Sequence, residues 1–221
     1  MKNALCCLAA FAAVTGIVFA QATGGIQGII SDDGAKPLAG AFVIATPLGP
    51  AGGVTSTAVS AANGQFNMAN LGPATYMVCV QVPHSAFLDP CRWSSPLHVA
   101  VAAGQISPNN NVQMLKGSLL HVRVNDPGQH VAKGDGDVLL GIGGPSFPFH
   151  PLGVAATDAA GRTFDIAIPL NTALRLQISS EHLDLEDDNG AAPGPVPAAI
   201  PIQQSSGQGD PTLTFNIKGK K

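Results

Sequence analysis

Apolar and polar residues alternate in short runs along this chain, and Gly, Pro, Asn or Asp closes each run within about ten positions. Runs of period two bounded by turn formers are the mark of strands with one face buried. Gly25 to Ser31 is the first, followed by Ala41 to Thr46, Val54 to Ser60 and Gln65 to Met68, the last with Phe66 and Met68 on one face. Thr75 to Val82 is the strongest, with Tyr76, Val78 and Val80 on one face and Met77, Cys79 and Gln81 on the other. Leu97 to Ala102 and Asn111 to Leu115 bring the count to seven. Asp32-Asp33-Gly34, Lys36 to Gly40 and Leu71 to Ala74 bend the chain between runs, with Gly34 available for a positive φ, and Ala62-Asn63-Gly64 reads as a hairpin turn. After residue 22 no segment sustains apolar spacing at i, i+3, i+4, i+7. Seven short strands in about 90 residues predict a Greek-key sandwich, because stacking two sheets buries one face of each.

The theme recurs more faintly further on. Thr157 to Pro169 lines up with Ser60 to Leu71 when one residue is inserted before Phe164, and Thr172 to Ser179 then matches Thr75 to Val82. Gly117 to Asp126 echoes Gly25 to Asp33. The expected fold is therefore all-β, with two tandem Greek-key sandwiches over residues 23–115 and 116–221. Residues 189–211, rich in Pro and Gly, read as a loop, because Pro removes the donors a sheet needs. Leu213, Phe215 and Ile217 alternate with polar residues after it, so a last strand should complete the second sandwich.

The first 22 residues differ from everything after them. Lys2, an apolar run from Ala4 to Ala20 and small residues at Ala20 and Ala22 have the order of a signal peptide, cleaved near Ala20 or Ala22. That predicts a secreted or periplasmic protein. Cys6 and Cys7 stand ahead of the apolar run, where a lipoprotein cysteine would have to follow it. No later run is long enough to span a bilayer, so the mature form is expected to have no membrane span. Removal of the leader leaves Cys79 and Cys91, which in an oxidising compartment are expected to form one disulfide closing a short loop, the alternative being a buried and a loop thiol. Zinc would need more ligands than the nearby His84 and His98.

Charged residues make up 11% of the chain against about 25% in an average globular protein, with 26 Gly and 18 Pro. The net charge is -3, and no basic cluster exceeds the Lys218 to Lys221 tail, so nucleic acid is excluded as a partner.

One stretch carries a family pattern. Gly25-Ile26-Gln27-Gly28-Ile29-Ile30-Ser31-Asp32-Asp33-Gly34-Ala35-Lys36-Pro37-Leu38-Ala39-Gly40-Ala41-Phe42-Val43, then Asn63-Gly64-Gln65-Phe66 and Leu71-Gly72-Pro73-Ala74-Thr75-Tyr76, resembles the carboxypeptidase regulatory-like domain. Ala74 departs from the Gly of that pattern. The resemblance covers residues 24 to about 83. It implies a transthyretin-like sandwich, usually an accessory or surface-exposed module, grouped in fold with carbohydrate-binding modules, and places Tyr76 in the core. It does not imply peptidase activity, which in that family belongs to a separate zinc domain with a His-x-x-Glu pair. None of His84, His98, His121, His130, His150 and His182 has Glu three residues on.

Other chemistry is sparse. There is no Gly-x-Ser-x-Gly elbow, no His-Glu-x-x-His and no phosphate-cradling loop. Asp135-Gly136-Asp137 and Asp184 to Gly190 are acidic, but in the second Asn189 stands where a calcium loop needs Gly and Pro195 where it needs Glu. We therefore expect solvated turns, no metal, no cofactor and no enzyme. Trp93, in the loop that a disulfide would pin, either caps the core edge or offers a sugar platform. Phe147, Phe149 and His150, in a Pro-spaced loop, form an interaction site if both rings are exposed. The expected function is non-catalytic extracellular or cell-envelope binding, with an extracellular or envelope protein as partner. Polysaccharide binding is the alternative and a small secreted hydrolase the remote one.

Overall fold

The computed structural model describes residues 22–49, 53–192, 198–203 and 209–221; the expected leader, Cys6 and Cys7 included, lies outside the described residues up to Gln21. The first half comprises β1 (Gly24–Asp32), β2 (Phe42–Pro47), β3 (Ser56–Val59), β4 (Gln65–Leu71), β5 (Ala74–Gln81), a single helical turn α1 (Pro90–Trp93), β6 (Leu97–Val101), β7 (Ile106–Ser107) and β8 (Val112–Met114). β4 runs antiparallel to β1, and β7 and β8 both run parallel to it on the other side. The facing sheet is ordered β3-β2-β5-β6. Alternation sends Ile26, Ile30, Phe66 and Met68 inward from one sheet and Val43, Tyr76, Val78 and Val80 from the other, forming one core. The Tyr76 hydroxyl donates to the Gly72 carbonyl at 3.0 Å, and burial raises the phenol pKa above its ordinary value.

The second half comprises β9 (Ser118–Asn125), β10 (Leu139–Gly144), β11 (Phe147–Pro151), β12 (Ala156–Asp158), β13 (Gly161–Ile168), β14 (Arg175–Ser179), β15 (Leu183–Asp187), β16 (Ala198–Ala199) and β17 (Thr212–Lys220). Its sheets are ordered β12-β13-β9-β17-β15 and β11-β10-β14-β16. β9 pairs antiparallel with β13 and parallel with β17, as β1 does with β4 and β8. β10 lies between β11 and β14, as β2 lies between β3 and β5. Leu120, Val122, Phe164, Ile166, Leu176 and Phe215 meet in the core between these sheets.

Several local expectations need correction. Ala62-Asn63-Gly64 is a corner and not a hairpin: β3 pairs only with β2, while β4 leaves to join β1 in the other sheet. The Gly64 carbonyl accepts from the Ile30 amide at 2.8 Å, which draws the chain across. At the first turn the left-handed residue is Ala35, φ +59°, and not Gly34; the Asp32 carboxylate holds the turn by accepting from the Lys36 amide at 2.7 Å. Within 189–211, Ala198–Ala199 adds an edge strand to β14, and Ile200 and Gln203 are buried. Edge strands tolerate flanking prolines because one side of their ladder is unused. Asp184 and Glu186 lie on β15, with only Asp187 to Gly190 forming a turn. Asp135 and Asp137 are ion-paired with Lys220 and Arg162.

Candidate functional site

The sequence candidates converge at the joint between the two halves. After β5 the chain passes Asp89-Pro90, which starts α1: the Asp89 carboxylate caps it by accepting from the Cys91 amide at 2.9 Å, and Pro90 supplies a pre-set φ at the first helical position. Cys91, on this turn, is disulfide-bonded to Cys79 of β5 across a separation of 12 residues. One end of α1 is thereby bolted to the first half.

The other end enters the second half. Trp93 is 7% exposed and sits in the second core. Its indole Nε1 donates to the Ala167 carbonyl at 2.8 Å. Phe147 meets it edge-on at a centroid distance of 5.3 Å, and His150 stands 6.5 Å away. Burying an indole is worth about 4–6 kcal/mol at ~25 cal/mol per Å². Two buried nitrogens of its neighbours, Arg92 Nη1 and His150 Nε2, lack partners among the described residues, so the joint carries a polar cost as well. Leu88, just before α1, packs against the same core.

Trp93 thus has no open face to stack on a sugar, and the core it fills is not the one beside its disulfide. Phe147, Phe149 and His150 stand on the edge strand β11 and not in a loop. Phe147 is committed to Trp93. Phe149, 45% exposed, lies over Gly143 and Gly141 of β10, where the missing side chains leave room for its ring. Pro148 and Pro151 deprive this edge of two donors, which blunts it against strand addition.

Beside α1 a cleft of about 430 Å³ opens between the halves, lined by Val82, His84, Arg92 and Trp93 from one and Leu152, Val154 and Asp165 from the other. Asp165 accepts from His121 at 2.8 Å and faces His84 at 3.9 Å, while His121 Nε2 is 4.0 Å from Asp210. His84 has φ +51°. These contacts tie a first-half loop, β9, β13 and the entry to β17 together. Among the described residues no Ser, Thr or Cys side chain hydrogen-bonds a histidine; the Ser85 hydroxyl donates to the Val82 carbonyl and that of Ser118 to Asp210. Asp89 lies close to both cysteine sulfurs, but the disulfide occupies them and the carboxylate serves Cys91 and Gln81. The residues that sequence reasoning missed are Asp165, Ala167 and Leu88. Only Asp89-Pro90, a cap followed by Pro, signalled the turn that brings Trp93 to them.

No family model matches the chain, and no curated protein does. Among solved structures, the Bacillus anthracis TIE protein is similar at 13% identity and TM-score 0.37, over 89% of this chain and 34% of that one. A streptococcal ancillary pilin is similar at 13% identity and TM-score 0.39, over 89% and 62%. The Bacillus cereus major pilin BcpA, as its D312A variant, is similar at 10% identity and TM-score 0.35, over 90% and 85%. The chain spans about a third and three fifths of the length of the first two. At such scores no partner or activity passes from them to this chain.

Proposed function

We propose that this protein is an exported, non-catalytic module of two β-sandwiches that act as one rigid body and present their outer faces to a protein of the cell envelope or the extracellular space. The observation that carries the reading is Trp93: a turn disulfide-bonded to one half plugs the core of the other. Such a plug commits the most distinctive aromatic of the chain to holding the two halves together. The second half is read as a diverged copy of the first, supported by the like strand pairings and by the match of Gly117 to Asp126 with Gly25 to Asp33. The carboxypeptidase regulatory-like resemblance of residues 24–83 fits this reading. Among the described residues no helix is long and apolar enough to cross a membrane.

Two measurements test the proposal. Backbone ¹⁵N relaxation should give both halves one tumbling time, and replacing Cys79 and Cys91 together by Ala should loosen that coupling; halves that tumble separately in the intact protein would sink the rigid-body reading. On producing cells, a photo-crosslinking residue at exposed Phe149 or Phe42 should capture an envelope protein. No capture from either position, with turnover of an ester, peptide or glycoside by the purified protein, would put the hydrolase reading in its place.

A further inference from the structure

A second recess lies away from the joint, on the outer face of the first sheet. Ser107 to Val112 spans one residue more than Ile26 to Ile30, the segment of β1 it runs beside, so the connection from β7 to β8 bulges out of the ladder. Asn109 takes up the slack at φ +60°, a conformation Asn tolerates better than most residues. Its neighbours are spent on structure. The Asn110 side-chain nitrogen donates to the Gln27 and Ser107 carbonyls at 3.2 and 2.7 Å, and Asn111 Oδ1 accepts from the Ile29 amide at 2.9 Å.

Between this bulge and the exposed faces of β1 and β4 runs a groove of about 430 Å³, a size typical of small-ligand sites. Strand register sets Gln27 opposite Asn67 and Ile29 opposite Gln65. With Asn109 and Asn111 these carboxamides ring the groove, Ile29 is 39% exposed, and no charged side chain lines it. Among the described residues the side-chain amides of Gln27, Gln65, Asn67 and Asn109 make no hydrogen bond.

This lining selects a ligand class. A charged ligand finds no countercharge, and an apolar one would leave carboxamides covered and unpaired, at a cost of about 1–3 kcal/mol each. Along the groove floor an added peptide strand finds no free backbone on β1, because the Gln27 carbonyl is already held by the Asn110 amide and the Ile29 amide by Asn111 Oδ1. A carboxamide holds donors and an acceptor on one plane, the mixture that adjacent ring hydroxyls present. From this lining we infer that the groove binds a neutral saccharide, with Gln27, Gln65, Asn67 and Asn109 gripping hydroxyls and Ile29 packing against a C–H face. The site lies wholly in the first half, so it does not depend on the rigid-module reading.

The test is a titration of the ¹⁵N-labelled protein with cellotriose, xylotriose, maltotriose and chitotriose in turn. At least one should shift the amides of Gln27, Ile29, Gln65, Asn67 and Asn109, and raising the ionic strength should leave its affinity unchanged. Gln27→Ala with Asn67→Ala, both on an outer face, should lower that affinity about tenfold or more, the worth of one or two hydrogen-bonding groups. Asn109→Gly keeps the left-handed backbone while removing its amide, and should weaken binding several-fold without any cost to folding. No shift at the groove with any of the four sugars overturns the proposal. So does binding that both variants leave untouched.

Discussion

The two halves share a scheme of strand pairing, to which the second adds β12 and β15 at its sheet edges, and they differ in what holds it. The first half closes a core from its own residues, and its polar fixings are mostly side chain to backbone, such as Ser60, whose hydroxyl donates to the Leu38 carbonyl and accepts from the Ala41 amide. The second half borrows Trp93 and Leu88 from outside its strands, and most ion pairs are its own, among them Arg123–Asp158, Arg162–Asp137 and Lys218–Glu186. One pairing scheme thus encloses a core made of its own residues and a core that takes in residues from outside. Topology alone does not decide where the side chains of a core come from.

The sharpest way to break this contrast is to remove residues 212–221. β17 lies between β9 and β15 and contributes Phe215 and Ile217 to the core, so its loss should cost the second half about 5 kcal/mol or more and unfold it. Native-state hydrogen exchange should still show protected amides in β1, β2 and β5; loss of protection there too would mean that the first half is not autonomous. Next in size, Trp93→Ala should cost about 3–5 kcal/mol, read as faster exchange in β9, β13 and β14 with little change in β1 and β4. An equal effect in both halves would show that the plug serves both cores alike.

A smaller effect of opposite sign belongs to the first half alone. Ala35 sits at φ +59°, where a Cβ is strained, so Ala35→Gly should stabilise that half by about 1 kcal/mol, visible as slower exchange in β1 and β2. A destabilised variant would mean that the turn is held in a different conformation. The smallest effect is one of pH in the second half. Hydrogen bonds from Arg123 above all, with help from the Ala160 amide, hold Asp158 at about 2, below its ordinary 3.8. The depressed value means the pair stabilises the fold fully above about 3.8 and loses that contribution as pH falls through about 2. The Asp158 side chain is 60% exposed, so the effect is modest and screened by salt. Asp158→Asn should flatten the acid limb of the melting-temperature profile of the second half, and an unchanged profile would show the pair to be idle.

The strands were largely legible because a half-buried sheet imposes period two on its residues. Tyr76, Val78 and Val80 on β5, and Phe215 and Ile217 on β17, point inward as their alternation requires. What escaped was non-local. The corner at Asn63-Gly64 and a hairpin use the same turn residues, and only the distant partner β1 tells them apart. α1 is too short to show a helical period, and nothing local states that Trp93 crosses to another core. Gln27, Gln65 and Asn67 look like ordinary solvation of an outer face until the bulge beside them turns that face into a groove.

The parallel pairing of first and last strands in each half has a mechanical side. The chain enters β1 at one pole and leaves β8 at the other, and the same holds for β9 and β17. A pull on the two ends of a half therefore slides these strands lengthwise against each other, loading their bonds together instead of peeling them in succession. In β9 and β17 the ladder is continuous from Thr212 to Asn216, whereas beside β1 the bulge interrupts it. Under tension the second half, with its unbroken shear interface, should therefore resist longer than the first, which force-extension curves would record as an earlier unfolding step for the first half.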